Sequence, residues 1–177
     1  MKKTELISML GSLVFITFTT IAIILYPNYD LEKQFLSELG TRGVSALFFN
    51  SGAIITGVTL VIFGIKLNKY LNHVIELLAE ISIVSGGVGL IGVGLFPMRF
   101  EFEHNISAFS VFFFTGIALL FLSKTMFRRN FISGVLTLLI GLISLGYLIM
   151  HGNPILQKIS VVLLLLWYFC ATRLLKM

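Results

Sequence analysis

The sequence predicts an all-α polytopic membrane protein: a six-transmembrane-helix bundle with both termini cytoplasmic and a short amphipathic helix in the first outer loop. Three observations carry this. First, 12% of the 177 residues are charged and 57% are hydrophobic. A soluble domain carries about 25% charged residues, and a mean hydropathy of +1.00 belongs to a membrane chain. Second, six apolar runs each approach the roughly 20 residues that cross a bilayer, and only short loops are left between them. The chain therefore reads as one domain, 1–177. Third, the basic residues segregate. Lys2, Lys3, Lys66, Lys69, Lys124, Arg128, Arg129, Arg173 and Lys176 fall on one side of a six-span alternation, and of the 13 only Lys33, Arg42, Arg99 and Lys158 fall on the other. The positive-inside rule makes the first side cytoplasmic and the cell membrane the expected location. The net charge of +5 is then topogenic rather than a nucleic-acid footprint, so no nucleic-acid partner is expected.

The elements follow in order. Helix one spans about Leu6 to Tyr26, stopped by Pro27. It is longer than the apolar core of a signal peptide, and no small-x-small cleavage pattern follows it, so it reads as retained. Residues 28–43 form the longest connection. Leu31, Phe35, Leu36 and Leu39 recur there at helical spacing against Asp30, Glu32, Lys33 and Glu38, which predicts a surface-lying amphipathic helix stopped by Gly40. Helix two covers Val44 to Ile65 and helix three Val74 to Phe96, ahead of Pro97. Helix four runs from near Asn105 to Ser123 and is followed by a basic link, 124–130. Helix five covers Phe131 to Met150; His151-Gly152-Asn153-Pro154 reads as a tight turn, and helix six runs from Ile155 to Thr172. Ser82, Ser85, Gly86, Gly87, Gly89, Gly92 and Gly94 make helix three the expected central packing helix, with Gly134 and Gly141 of helix five as a matching face. Asn50 and Ser51 read as interhelical hydrogen bonders, the phenylalanines at 112–114 as packing and lipid contact, and Trp167 and Tyr168 as interfacial anchors. Cys170, the only cysteine, excludes an intramolecular disulfide and a Cys-cluster metal site.

The stretch Gly94 to Ala108 is the most polar break between the two most glycine-rich and phenylalanine-rich spans, and it shares the outer side with the loops at 28–43 and 151–154. Helices two, four and six all begin on that side. A helix N-terminus offers unpaired N–H groups and about +0.5 charge, which suits an anion. Thr41-Arg42-Gly43, His104-Asn105 and Asn153-Pro154 stand at the three starts. Converging, they would hold a phosphate or carboxylate with Arg42 or Arg99 as countercharge; otherwise they are three well-capped helices. Glu101, Glu103, His104 and His151, with Glu38 or Asp30, are the right residue types for zinc, but no HExxH-type spacing is present, and neither a metal nor another cofactor is expected. On the cytoplasmic half, His73, Glu76 and Glu80 share a face of helix three. Glu80, about two turns inside the span, is either a proton or cation site or a salt bridge to Lys69, Arg128 or Arg129.

Phe35-Leu36-Ser37-Glu38-Leu39-Gly40, Phe49-Asn50, Gly94-Leu95-Phe96-Pro97, and His104-Asn105 with Ala108 and Phe112-Phe113 together resemble the prokaryotic membrane family called "domain of unknown function 998". The resemblance covers nearly the whole chain. It implies a six-helix bundle without an assigned activity, and its motifs fall on Ser37, Glu38, Gly40, Pro97 and His104. It also implies a distant similarity to the Frag/DRAM/Sfk group of lipid-associated eukaryotic proteins.

Three functions compete. The first is binding or processing of a lipid or phosphate head group on the outer face. There Glu38 and His104 are the catalytic candidates, and Arg42, Arg99, Glu101, His104, Asn105 and His151 the ligand set, with membrane lipids as partners. The second is a non-catalytic accessory subunit that associates with other membrane subunits or with itself. The third is a small proton- or ion-coupled transporter using Glu80.

Overall fold

The computed structural model describes residues 3–67, 74–150 and 152–174. The helices are α1 (Lys3–Leu25), α2 (Gly43–Leu67), α3 (Val74–Leu95), α4 (Glu101–Arg129), α5 (Phe131–Ile149) and α6 (Pro154–Leu174). All six are long and apolar enough to cross a membrane. A short 3-10 helix, Leu36–Gly40, precedes α2. The helices alternate in direction, so the bundle has a terminal end, where α1 begins and α6 finishes, and a loop end, where α2, α4 and α6 begin.

Local chemistry explains most boundaries. α1 stops two residues before Pro27, and Asn28, at φ 55, turns the chain. α3 stops two residues before Pro97. Gly152, at φ 82, makes the turn into α6, and the Asn153 side chain then caps that helix, accepting from the Ile155 and Leu156 amides at 2.9 and 3.0 Å.

Three boundaries differ from expectation. α4 begins at Glu101, a turn earlier than Asn105, because the Phe100 amide already folds back onto Pro97 O and the His104 amide onto Phe100 O. α4 also continues through the expected link to Arg129, leaving Asn130 alone as the corner, where its side chain caps α5 through the Ser133 amide. The first loop carries no amphipathic α-helix on the membrane surface. Leu36 and Leu39 are drawn into the core, Leu31 is 56% exposed, and only the five-residue 3-10 helix forms. The apolar spacing was real, but tertiary burial of two leucines outcompeted a surface helix.

Small residues set the packing. A methyl group added at Gly57 of α2 would lie 2.7 Å from the Gly87 carbonyl oxygen of α3, and one added at Gly86 only 2.6 Å from the Thr115 side chain of α4. α3 is thus the central packing helix, with its backbone close against α2 and α4. Gly141 of α5 meets Gly116 of α4, so the α5 glycine face matches α4 rather than α3. Buried hydroxyls join other pairs: Thr56 donates to Gly11 O at 2.9 Å, Ser144 to Phe112 O at 3.0 Å, and Ser12 to Leu165 O at 3.1 Å. α6 closes the ring against α1 and α5, and packs more sparsely than the other neighbouring pairs. Trp167 and Tyr168 are core residues, 6% and 4% exposed, and not interfacial anchors. The Trp167 indole N–H reaches Thr137 Oγ1 of α5 at 3.1 Å, and that bond is satisfied only inside the bundle. Asn50 donates to Gly40 O of the 3-10 helix at 3.1 Å rather than to another span, and Ser51 faces outward.

Candidate functional site

The loop end is built around the segment 26–42. Tyr26 is buried and meets Tyr29 edge to face at 5.7 Å. Asp30 then forms a tight turn, its Oδ1 accepting from the Glu32 and Lys33 amides at 2.9 and 3.2 Å. Those backbone donors, chiefly the Glu32 amide, hold its carboxyl below the usual aspartate range. Burial pushes the Tyr29 phenol up, with Glu38 and Tyr26 adding to the effect. The Tyr29 hydroxyl donates to Gln34 O at 3.3 Å.

Glu38 spends both carboxylate oxygens on its own segment. Oε1 accepts from the Phe35 amide and Oε2 from the Gln34 side chain, each at 2.8 Å. It caps the 3-10 helix, whose orphan N–H groups need acceptors. This helix is then strapped to two neighbours. On the α2 side, Ser45 donates to Leu39 O at 2.9 Å and Asn50 to Gly40 O. On the α6 side, Gln157 Oε1 accepts from the buried Leu36 amide at 2.9 Å, and the Lys158 ammonium donates to Gln34 O and to Pro154 O.

His104, 4% exposed, lies beneath this cap. Its Nδ1 is 2.8 Å from Phe96 O. A carbonyl only accepts, which assigns a proton to Nδ1; in that tautomer Nε2 is an acceptor. No hydrogen bond to Nε2 forms among the described residues. With Ser37 and Gln157, His104 supplies the polar lining of a cavity of about 50 Å3 whose other walls are apolar, among them Phe15, Leu90 and Val161. The α3–α4 corner and the 3-10 helix therefore bring the FP…H and SELG stretches to one place. The chain belongs to the family whose model is described as "Protein of unknown function (DUF998)", which matches residues 9–174. That match concerns this family alone and carries no finding on the Frag/DRAM/Sfk group. No curated protein and no solved structure matches the chain.

The remaining candidates of this DUF998 chain are spread more widely. Arg42 is exposed and stacks over the Tyr26 ring at 4.6 Å; Arg99 is exposed and stacks over Phe100 at 4.9 Å. Among the described residues, neither pairs with a carboxylate. Glu101 and Asn105 are exposed on the outer face of α4, away from the side that buries His104. Because α4 starts at Glu101, His104-Asn105 is not its N-terminus. The first turn instead carries Glu101 and Glu103, whose charges complement the helix dipole and oppose an anion there. At the α6 start the Asn153 side chain already takes two of the free amides. Of the three helix starts, α4 therefore carries acidic side chains and α6 a side-chain cap. His151 lies outside the described residues. Among the described residues no three His, Cys, Asp or Glu side chains gather to hold a metal.

Gln157 and Lys158 were not singled out from the sequence, though the signal was present: two polar residues in the first turns of an apolar span. At the terminal end, Glu76 is buried and accepts from Thr125 Oγ1 at 2.8 Å, beside a crevice of about 230 Å3 also lined by Lys124 and Arg128. Among the described residues Glu80 Oε2 is buried without a hydrogen-bond partner, and no salt bridge joins it to Arg128 or Arg129. Lys69 and His73 lie outside the described residues.

Proposed function

We propose that this protein binds a membrane lipid by its polar head at the loop end of the bundle, in the cell membrane with both termini cytoplasmic. The observation that carries the reading is the group Ser37, His104 and Gln157, three polar side chains buried around one cavity beneath a strapped 3-10 helix. An ionisable side chain inside a membrane bundle is a functional-site candidate by default, and His104 is one. His104 Nε2 and the Ser37 hydroxyl are the groups left to receive a ligand hydroxyl or ester. Arg42 and Arg99, stacked on rings and unpaired with any carboxylate among the described residues, supply countercharge for an anionic head at the surface. The reading is of binding rather than catalysis. Glu38, the acid/base candidate, has each oxygen in a capping bond, which supports a role in ordering the site.

Native mass spectrometry of the gently extracted protein tests this. Wild type should retain one lipid, His104→Ala should release it, and Arg42→Ala with Arg99→Ala should shift retention away from anionic heads. Wild type that carries no stoichiometric lipid defeats the proposal, and a protein subunit retained in both samples favours the accessory role. A proton-coupled role has one observation of its own, the buried oxygen of Glu80 that has no partner among the described residues. Glu80→Gln that leaves liposome proton flux unchanged removes it.

A further inference from the structure

The cavity under the 3-10 helix has a neighbour. A second cavity, of about 80 Å3, lies deeper in the bundle, and the two share Phe15, Leu90, Val111 and Val161 as lining. These four residues form a waist between two chambers on one axis. The polar groups are unevenly placed along it. Ser37, His104 and Gln157 are at the loop end, while the deeper chamber is walled by Leu60, Ile83, Leu119 and Leu164 and closed by Trp167 and Tyr168. Thr56 and Thr115 also line the deeper chamber, but their hydroxyls are spent on Gly11 O and Val111 O, and so do not make it polar. Water needs two or more polar partners to settle in a cavity, and this wall offers few; an apolar void of this size favours an apolar occupant.

Resting on the lipid-binding reading, we infer that this axial pair of chambers holds the hydrocarbon chain of the bound lipid, running from the Ser37–His104–Gln157 group down to Trp167. Ten residues of α6 separate Gln157 from Trp167, a rise of roughly 15 Å, which a single acyl or isoprenoid chain can span. The path in is beside α6. That helix lines both chambers, contributing Gln157, Val161 and Trp167, and it packs sparsely against α1 and α5. Separating α6 slightly from a neighbour opens the axis sideways to the bilayer, where lipid chains already lie. The arrangement has the polarity of one amphipathic molecule: hydrogen-bonding groups at one end and hydrocarbon contact along the rest.

Trp167 is the only tryptophan of the chain and lines the deeper chamber, so it reports on occupancy. The probe is phosphatidylglycerol with brominated acyl chains, titrated into the intact protein in mild detergent. The expected result is saturable quenching of Trp167 fluorescence at one lipid per protein, reversed by the unbrominated lipid. Val161→Phe and Val111→Phe, which fill the waist from α6 and from α4, should weaken that quenching about tenfold or more. Quenching that is merely linear in brominated lipid overturns the inference, as does saturable quenching unchanged in both waist variants. If neither variant folds, the wild-type titration and its reversal decide alone. The head-group proposal is judged separately: lipid released by His104→Ala but with linear Trp167 quenching leaves the head site standing and removes the chain site. No retained lipid and no saturable quenching remove both.

Discussion

α3 and α6 solve the same problem in opposite ways. α3 meets α2 and α4 through glycine, with backbones close enough that an added methyl would strike carbonyl oxygen or a neighbouring side chain. α6 carries no glycine and meets its neighbours through side chains. It is held at points: Ser12 on Leu165 O, Trp167 on Thr137, and Gln157 and Lys158 on the first loop. In lipid there is no hydrophobic drive between helices, so association rests on close packing and on hydrogen bonds. The α2–α3–α4 block uses mainly the first and becomes a wall. α6 relies more on the second, and the space left along it is the axial cavity. The difference indicates which part of the bundle is scaffold and which part can yield to a ligand.

The largest expected effect breaks the wall. Gly57→Leu must displace the Gly87 backbone, and should destabilise by about 3 kcal/mol, the upper end of overpacking effects. It is measured as a lowered thermal unfolding midpoint in detergent, and a wild-type midpoint would refute the close-packed account of α3. Next comes the strap. Gln157→Leu leaves the buried Leu36 amide without its acceptor, a penalty of about 1–3 kcal/mol. Hydrogen exchange at 34–40 should rise well ahead of exchange in α3; unchanged exchange there means that Gln157 does not hold the 3-10 helix.

A smaller effect sharpens the comparison from the other side. Gly146 of α5 has nothing within 4 Å of an added methyl. Gly146→Ala should be neutral or raise the midpoint, by up to about 1 kcal/mol from helix propensity. A fall would show that position to be packed after all. The smallest effect concerns pH. The folded Asp30 carboxyl is held below its unfolded value, so its contribution is present above the unfolded pKa and is lost as pH falls through the folded one. Stability of the first loop should therefore decline at and below about pH 4. Asp30→Asn should flatten that acid limb, and an identical pH profile in the variant would remove Asp30 as its cause.

Particular residues show how much could be read in advance. Pro27, Pro97 and Asn153-Pro154 mark helix limits by local sterics and capping, and the limits fall beside them. The α3 glycines announce close packing because lipid-exposed glycine has no packing reason to recur. His104 was legible as a site candidate, but its burial was not, because nothing local says that α4 begins a turn before it. Glu38 reads as a catalytic candidate in the sequence, and in the fold it caps the 3-10 helix. The sequence shows a carboxylate, whereas only the folded loop shows that the Phe35 amide and the Gln34 side chain take both of its oxygens. Trp167 and Tyr168 looked interfacial from their position near a span end, and their burial depends on α2 and α5 lying beside them.

The sequence by itself determined the six spans, most of their ends, the glycine-packed centre and the segregation of basic residues between the two ends. All of these follow from short-range chemistry: apolar length, proline and asparagine at boundaries, charge beside spans. Only the tertiary structure decided which apolar residues face protein and which face lipid, that the first loop folds down as a strapped 3-10 helix, and that Ser37, His104 and Gln157 meet over a cavity. The physical reason is that both the bundle interior and the surrounding lipid are apolar. Hydropathy along a span therefore does not distinguish a cavity wall from a lipid-facing surface, and only the packing of one helix against another separates them.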